Sequence, residues 1–325
     1  MAVRYPHAVF LALQGRPSRP TEVPRRAVFC LGNFDGVHRA HDALIRAAAE
    51  RAHASGCPAA VFCFFRPSSD YLSPREDHEG SAPRHLCSLR EKLSLFAAAG
   101  ADLACLVDFS ALRDMPPADF ITFLRESCHA QGIACGFNYR YGAGGAGDAA
   151  SLAAAFSAPE DVPPLILGEQ AVDGLTISST RVRAALADGD PRTAAALLGR
   201  PYALESRVLH GKQLGRRLGF PTANQTFPPD RLIPAHGVYA TRVHTPEGIF
   251  TGVSNIGLRP TVENTLTANC ETYILDYDGD LYGQLIRVEL WDYLRPEQRF
   301  SNTDLLRAAV LRDAERAREL LSRRM

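Results

Sequence analysis

Two histidines stand three residues apart in the stretch Gly32–His41, "GNFDGVHRAH". The apolar run Ala27–Leu31 precedes it and an alanine-rich run, Asp42–Ala54, follows, so it marks a strand-to-helix junction. The first N–H groups of a helix are unpaired and face outward, which makes such a junction an anion site. A spacing of three puts His38 and His41 on one face of the first turn. Three chemistries fit: a phosphate grip, a zinc pair, or two surface imidazoles. A zinc pair wants further ligands, and no third His, Cys or Asp cluster has suggestive spacing.

A second stretch, Gly211–Asn224, reads "GKQLGRRLGFPTAN". Gly211, Gly215 and Gly219 recur at every fourth position, with Lys212, Arg216 and Arg217 between them. Backbone N–H groups freed by glycine, with three cations, suit a phosphate-covering loop. The same letters also read as a basic β-turn, and no Walker A pattern is present. A third stretch, Gly142–Gly147, satisfies GxGxxG. That dinucleotide fingerprint normally ends the first strand of its fold, whereas this one follows the fourth strand-like run.

The elements that must position these residues fall into two textures. Short apolar runs at Ala27–Gly32, Ala59–Phe65, Ala101–Phe109, Gly132–Phe137 and Pro164–Leu167 read as strands. Helix-like segments at Asp42–Ala54, Ser88–Ala99, Pro116–Ala130 and Ala149–Ser157 separate them. That alternation predicts an α/β doubly wound parallel sheet, whose ligands sit beyond the carboxyl ends of the strands. A helical pair follows. From Tyr202 onward shorter strands with polar alternation and Gly-, Pro-, Asn- and Asp-rich turns predict a small antiparallel β-barrel. A C-terminal helix closes the chain, with Ser301 and Asp304 as a capping box and Leu306, Val310, Ala317 and Leu320 as its apolar face. The expected domains are residues 1–187 and 188–325.

With 36 basic against 36 acidic residues, the 325-residue chain has no excess of positive charge to recommend nucleic acid as a partner. No apolar run approaches the roughly 18 residues that span a bilayer. The apolar patch Ala8–Leu13 is too short for a leader, so the expected compartment is cytoplasmic, with no membrane partner. The eight cysteines form no CxxC pair and lie largely in apolar runs, which predicts buried free thiols.

The first stretch resembles the HxGH signature of the nucleotidyltransferase superfamily, in the version carried by prokaryotic bifunctional riboflavin kinase/FAD synthetases. Ile177–Arg183, "ISSTRVR", is similar to that family's second element. "GFPTAN" resembles the riboflavin kinase signature, and Gly252–Val262, Cys270–Gly283 and Leu294–Phe300 match it in order. The likeness runs from about Val28 to about Leu321.

The resemblance implies ATP-dependent phosphorylation of riboflavin to FMN in the C-terminal domain and adenylylation of FMN to FAD in the N-terminal one. It implies His38, His41 and Arg183 as catalytic groups of the second reaction. Gly32, Phe34, Asp35, Asn138, Ser178, Ser179 and Thr180 are implied as nucleotide-binding. For the kinase it implies Glu271 as general base, with Gly211, Lys212, Gly215, Arg216, Gly219 and Pro221 around the nucleotide. Thr222 and Asn224 are implied as oxygen ligands of Mg2+, which prefers hard donors. Tyr239 and Trp291 are candidates for the flavin ring.

The adenylyltransferase half departs from the family pattern in three places. Ala40 replaces the glycine of HxGH, the histidine expected within Phe64–Asp70 is absent, and the glycine loop lacks its basic residue before Gly147. Each lost charge-assisted contact costs on the order of 1.5–3 kcal/mol, unless Arg66 or His85 compensates. A riboflavin kinase with an impaired or repurposed second domain is therefore the alternative reading. A non-catalytic flavin-binding regulator is a third.

Overall fold

The computed structural model describes residues 9–13, 19–64, 84–210, 215, 218–260 and 266–322. The chain divides into two compact units, Met1–Ser178 and Ser179–Met325. The helix Ser179–Ala187 groups with the second unit, whereas the sequence reading closed the first domain at its end.

The first unit carries a seven-stranded sheet. Its strands are β1 (Val9–Ala12), β2 (Arg19–Thr21), β3 (Ala27–Leu31), β4 (Ala59–Phe64), β5 (Leu103–Val107), β6 (Ala130–Gly136) and, after a short hairpin of β7 (Arg140–Tyr141) and β8 (Gly147–Asp148), β9 (Leu165–Leu167). They lie in the order β2-β1-β5-β4-β3-β6-β9. From β5 to β9 every pairing is parallel. The apolar patch Ala8–Leu13 supplies β1, which adds antiparallel to β5. A further hairpin, β10 (Ala171–Val172) and β11 (Leu175–Thr176), follows the sheet.

Strand residues alternate between two cores, as the pleat requires. Phe29, Leu31 and Phe62 pack against Phe120, Phe123 and Leu152 on one side. Cys30, Val61 and Cys63 pack against Leu44, Ile45 and Phe96 on the other. Both faces are covered, which is why these strands read as unbroken apolar runs. The covering helices are α1 (Arg39–Ala54), α2 (Leu89–Ala98), α3 (Pro117–Thr122) and α4 (Ala149–Ala155). The sequence suggested one helix over Pro116–Ala130. The structure instead runs α3 into a π-helical turn at Phe123–Ser127 and stops there. His129, left-handed at φ 56°, ends the helix and Ala130 starts β6.

In the second unit α5 (Ser179–Ala187) and α6 (Pro191–Leu198) precede the sheet. Asp190 caps α6 and left-handed Gly199 (φ 79°) stops it. The strands β12 (Tyr202–Arg207), β13 (Thr222–Thr226), β14 (Gly237–Thr245), β15 (Gly248–Pro260), β16 (Leu266–Ile274) and β17 (Leu285–Arg295) pair antiparallel throughout. Their order is β12-β17-β14-β15-β16-β13. Just beyond β12, Leu209 bridges to Asn224 of β13, its N–H donating to the Asn224 carbonyl at 2.8 Å, so the two edge strands meet and the sheet curls on itself.

The last helix, α7 (Thr303–Ser322), packs on Val238, Ala240 and Val253. Its cap is Asn302, whose Oδ1 accepts from the Leu305 N–H at 2.9 Å. The expected Ser301–Asp304 box is thus displaced by one residue. Its buried face is rotated too: Ala309, Asp313, Ala314, Ala317 and Leu321 lie inside, and Leu306, Val310 and Leu320 are half-buried. Asp313 faces inward because Arg295 of β17 clamps it, at 2.8 Å from Nη2 and 3.0 Å from Nε.

Candidate active sites

β3 leaves its sheet at Leu31 and enters α1 through a left-handed turn. Phe34 (φ 50°), Gly36 (φ 76°) and Val37 (φ 40°) all lie in the left-handed region. For Phe and Val that conformation costs on the order of 1–3 kcal/mol each, so something must hold it. The buried Phe34 ring is wedged edge-on between Phe96 at 5.5 Å and His41 at 5.1 Å. A Cβ at Gly32 would stand 2.9 Å from that ring, so only glycine fits there. The carboxylate of buried Asp35 accepts from the Leu86 N–H at 3.0 Å. Gly32, Phe34 and Asp35 therefore build the turn.

The turn delivers the two histidines. His38 is the N-cap of α1, and its Nδ1 accepts from the His41 N–H at 3.3 Å. That bond places the proton of a neutral His38 on Nε2. The imidazoles stack at 3.6 Å between centroids, tilted by 11°. Burial above all, then the nearby His38 and Lys92, hold the His41 imidazole well below its ordinary titration range. Its Nδ1 is buried with no hydrogen-bond partner, a polar atom left for a ligand. Ala40 sits half-buried on the same first turn.

Neighbouring β3 and β6 mark the point where the strand order reverses, since β4 and β5 extend to one side and β6 and β9 to the other. Ligands of such sheets bind in the crevice at the carboxyl ends of those strands. The histidine turn follows β3. Asn138 lies exposed two residues beyond β6, its Oδ1 folded back over Gly136. The "ISSTRVR" element spans the two units: half-buried Ser178 ends the first, while Ser179 and Thr180 open α5 and half-buried Arg183 follows one turn later.

The GxGxxG stretch is not a dinucleotide loop. It is the hairpin β7–β8, which runs into α4 capped by Asp148. Its glycines answer to local packing: a Cβ would meet Pro117 at 2.8 Å from Gly142 and the Tyr141 ring at 2.5 Å from Gly147.

Three residues expected for the kinase, Thr222, Asn224 and Glu271, gather on one face of paired strands. Asn224 of β13 lies directly opposite Glu271 of β16, and Thr222 lies opposite Tyr273. On its other side Glu271 faces Asn255 of β15. Residues two apart share a face, so Thr222, Asn224, Glu271, Tyr273 and Asn255 form one polar patch. The Asn224 amide is oriented by donating Nδ2–H to the Thr222 carbonyl at 3.1 Å. Asn269, two residues before Glu271, donates to its Oε1 at 3.0 Å. Asn255 in turn donates to Glu297 at 3.0 Å.

A cavity of about 770 Å³ opens beside this patch, lined by Pro221, Thr222, Asn224, Tyr273 and the Asp276–Tyr282 turn. That is room for a nucleotide. Thr222 and Asn224 offer it neutral, hard oxygens, a donor set that fits magnesium shared with phosphate. Gly211, Lys212, Arg216 and Arg217 lie outside the described residues, as does the segment with Arg66. Gly215 is buried; a Cβ there would lie 2.5 Å from the Phe220 carbonyl, which is why the turn ahead of Pro221 takes glycine. Gly219 is left-handed at φ 82°.

The two aromatic candidates are engaged elsewhere. Tyr239 is buried and donates to the Ala235 carbonyl at 2.6 Å. The Trp291 ring carries the Arg242 guanidinium at 4.6 Å and belongs to the core beneath α7. Sequence reasoning missed Asn255, Asn269, Glu297 and Lys92. Period-two spacing from Glu271 could have found Asn269; nothing local announces the others. All eight cysteines are buried and in no disulfide, as expected, and burial raises the Cys63 and Cys270 thiols to about 11.

Comparison with known proteins covers both units. The FAD synthetase family matches residues 21–181 and the riboflavin kinase family matches residues 198–321. A bifunctional riboflavin kinase/FMN adenylyltransferase from Pseudomonas fluorescens is 35% identical over 297 residues, covering 91% of this chain and 93% of the relative. One of the same description from Escherichia coli K12 is 39% identical over 298 residues, covering 90% and 92%. A crystal structure from Streptococcus pneumoniae, described as a macrolide-efflux protein, superposes with a TM-score of 0.81 at 28% identity, covering 91% of this chain and 97% of that one. Among the described residues no helix is long and apolar enough to cross a membrane.

Proposed function

From the chain's place in the bifunctional riboflavin kinase/FMN adenylyltransferase family, to which it belongs, we infer the working parts of its two reactions. The protein is a transferase. It phosphorylates riboflavin to FMN with ATP and adenylylates FMN to FAD with release of pyrophosphate. Because both families match, the kinase-only and regulator readings fall away. We assign adenylylation to residues 1–187 and the kinase to residues 188–325. Eight buried thiols outside any disulfide support a cytoplasmic setting.

One observation carries the kinase assignment: Glu271 faces Asn224 across β16 and β13, with Thr222 on the same face. Glu271 takes the proton of the ribityl 5′-hydroxyl as its oxygen bonds to the γ-phosphorus and the β–γ bridging bond breaks toward ADP. Such a base is worth roughly 10²–10⁴ in rate. Thr222 and Asn224 are the residues that would hold Mg2+, which neutralises phosphate charge when bound. Gly211, Lys212, Gly215, Arg216, Gly219 and Pro221 belong to the segment that covers the phosphates.

For adenylylation, an FMN phosphate oxygen attacks the α-phosphorus and the α–β bond breaks toward pyrophosphate. The incoming phosphate is already ionised, so no base is required. His38 and His41 act as hydrogen-bond donors to the charge that builds up, and the hydroxyls of Ser178, Ser179 and Thr180 with Arg183 supply the rest. Asn138 faces the nucleotide at the end of β6.

The test is chromatography of flavins after incubation with riboflavin and Mg-ATP. FAD is expected. FMN alone would refute the adenylyl-site roles, and unchanged riboflavin would refute those of the kinase site.

A further inference from the structure

Lys92 lies on α2, is only 4% exposed, and has no place in the sequence-based site. Its Nζ donates to the Asn33 carbonyl at 3.0 Å. Among the described residues no carboxylate lies within ion-pair distance of it. Burying an ammonium with one carbonyl as its hydrogen-bond acceptor is unfavourable on general grounds. Methionine, of similar length, would fill the space at no such cost. A charge kept there against its own burial calls for a reason beyond packing.

The surroundings supply one. Asn33 is the second residue of the turn that carries left-handed Phe34, Gly36 and Val37 and ends at His38. The turn is held from the α2 side at two points: Lys92 grips Asn33, and Leu86 N–H grips Asp35 at 3.0 Å. Phe96, one turn further along α2, backs the Phe34 ring. The start of α2 is itself fixed by a capping box, with Ser88 Oγ accepting from Glu91 N–H at 3.2 Å and Glu91 accepting from Ser88 N–H at 2.9 Å. The ammonium is also near enough to His41 to help keep that imidazole uncharged. In a region of low dielectric its field extends over the stacked pair, where a triphosphate would lie.

We propose that Lys92 is a positioning residue of adenylyl transfer: its buried ammonium fixes the strained turn that presents His38 and His41 and makes that turn electropositive. The proposal rests on the reading of those histidines as the phosphate grip. It concerns a residue that touches neither substrate. Its charge acts through Asn33 and through the potential at the histidines, so it should govern turnover rather than FMN affinity.

The experiment uses the full chain and three variants: Lys92→Met, Lys92→Arg and His41→Ala. Riboflavin phosphorylation and thermal melting report folding, and FMN-to-FAD conversion reports the site. Lys92→Met should melt no lower than the parent and phosphorylate riboflavin normally, while its kcat for FAD formation falls roughly 10²-fold, the scale of a misplaced catalytic group. Its KM for FMN should stay put, and Lys92→Arg should recover most of the lost turnover. FAD formation within twofold of the parent in Lys92→Met overturns the proposal. A Lys92→Met that loses both FAD formation and melting temperature, with no recovery in Lys92→Arg, also overturns it, because Lys92 would then be a packing residue. If His41→Ala makes FAD at the parental rate, the histidine reading itself fails and takes the proposal with it.

Discussion

Both units carry a proposed ATP site, but they build it from different kinds of backbone. In the first, the two histidines hang on a single turn, Gly32–Val37, and on the helix it opens. The turn is strained, and its geometry is kept by aromatic wedging and by bonds from α2. In the second, the groups sit at matched positions on three hydrogen-bonded strands, where Asn255, Glu271 and Asn224 face one another in a row. There the sheet itself sets the spacing, and no residue of the row needs a left-handed backbone. A site made on a turn depends on distant supports; a site made on a ladder depends on register. The first should be sensitive to changes outside it, and the second mainly to changes within it.

The sharpest way to break that contrast is Glu271→Ala. FMN formation should fall by about 10²–10⁴-fold while conversion of added FMN to FAD continues. Measured separately by chromatography, a loss of both activities would show that the two sites are not independent. Asn269→Ala comes next. It removes one charge-assisted bond to the base, worth about 1.5–3 kcal/mol, so riboflavin kinase turnover should drop roughly tenfold or more with substrate KM values little changed. An unchanged kcat would mean the ladder alone orients Glu271. Ala40→Gly is the gentlest. It should lower the KM for ATP in FAD synthesis a few-fold, at about 1 kcal/mol of helix stability. No change in KM would show that the methyl group does not crowd the nucleotide.

The parallel sheet was legible because both of its faces are buried: Phe29 and Cys30 point to opposite cores, and both are apolar. The histidine turn was legible from its letters, yet what holds it was not. Lys92 sits in a helix where lysine normally means water, and only the tertiary structure brings it beneath Asn33. The GxGxxG match, set aside for its place after the fourth strand-like run, arises because glycine also serves close packing, here against Pro117 and Tyr141. Helix ends were harder to place. His129 stops the helical run at a residue with no breaker signature, and Asn302 took the capping role because its side chain reaches the Leu305 N–H. On the kinase face the strands were legible but not their partners. That Asn255, Glu271 and Asn224 share a row follows from long-range pairing, which alternation along one strand does not encode.

That row has a genetic consequence. Glu271 is flanked in its strand by Cys270 and Thr272, both buried on the opposite face of the sheet. Deleting one codon for Ala268 or Asn269 slides the strand by a single residue, and every side chain beyond the scar changes sides. The carboxylate would be driven into the barrel interior, and a thiol or hydroxyl would take its place at the site. Most substitutions at the same positions leave the count, and so the facing, intact. In a saturation library of this gene, β13, β15 and β16 should tolerate spelling changes far better than frame-preserving insertions or deletions.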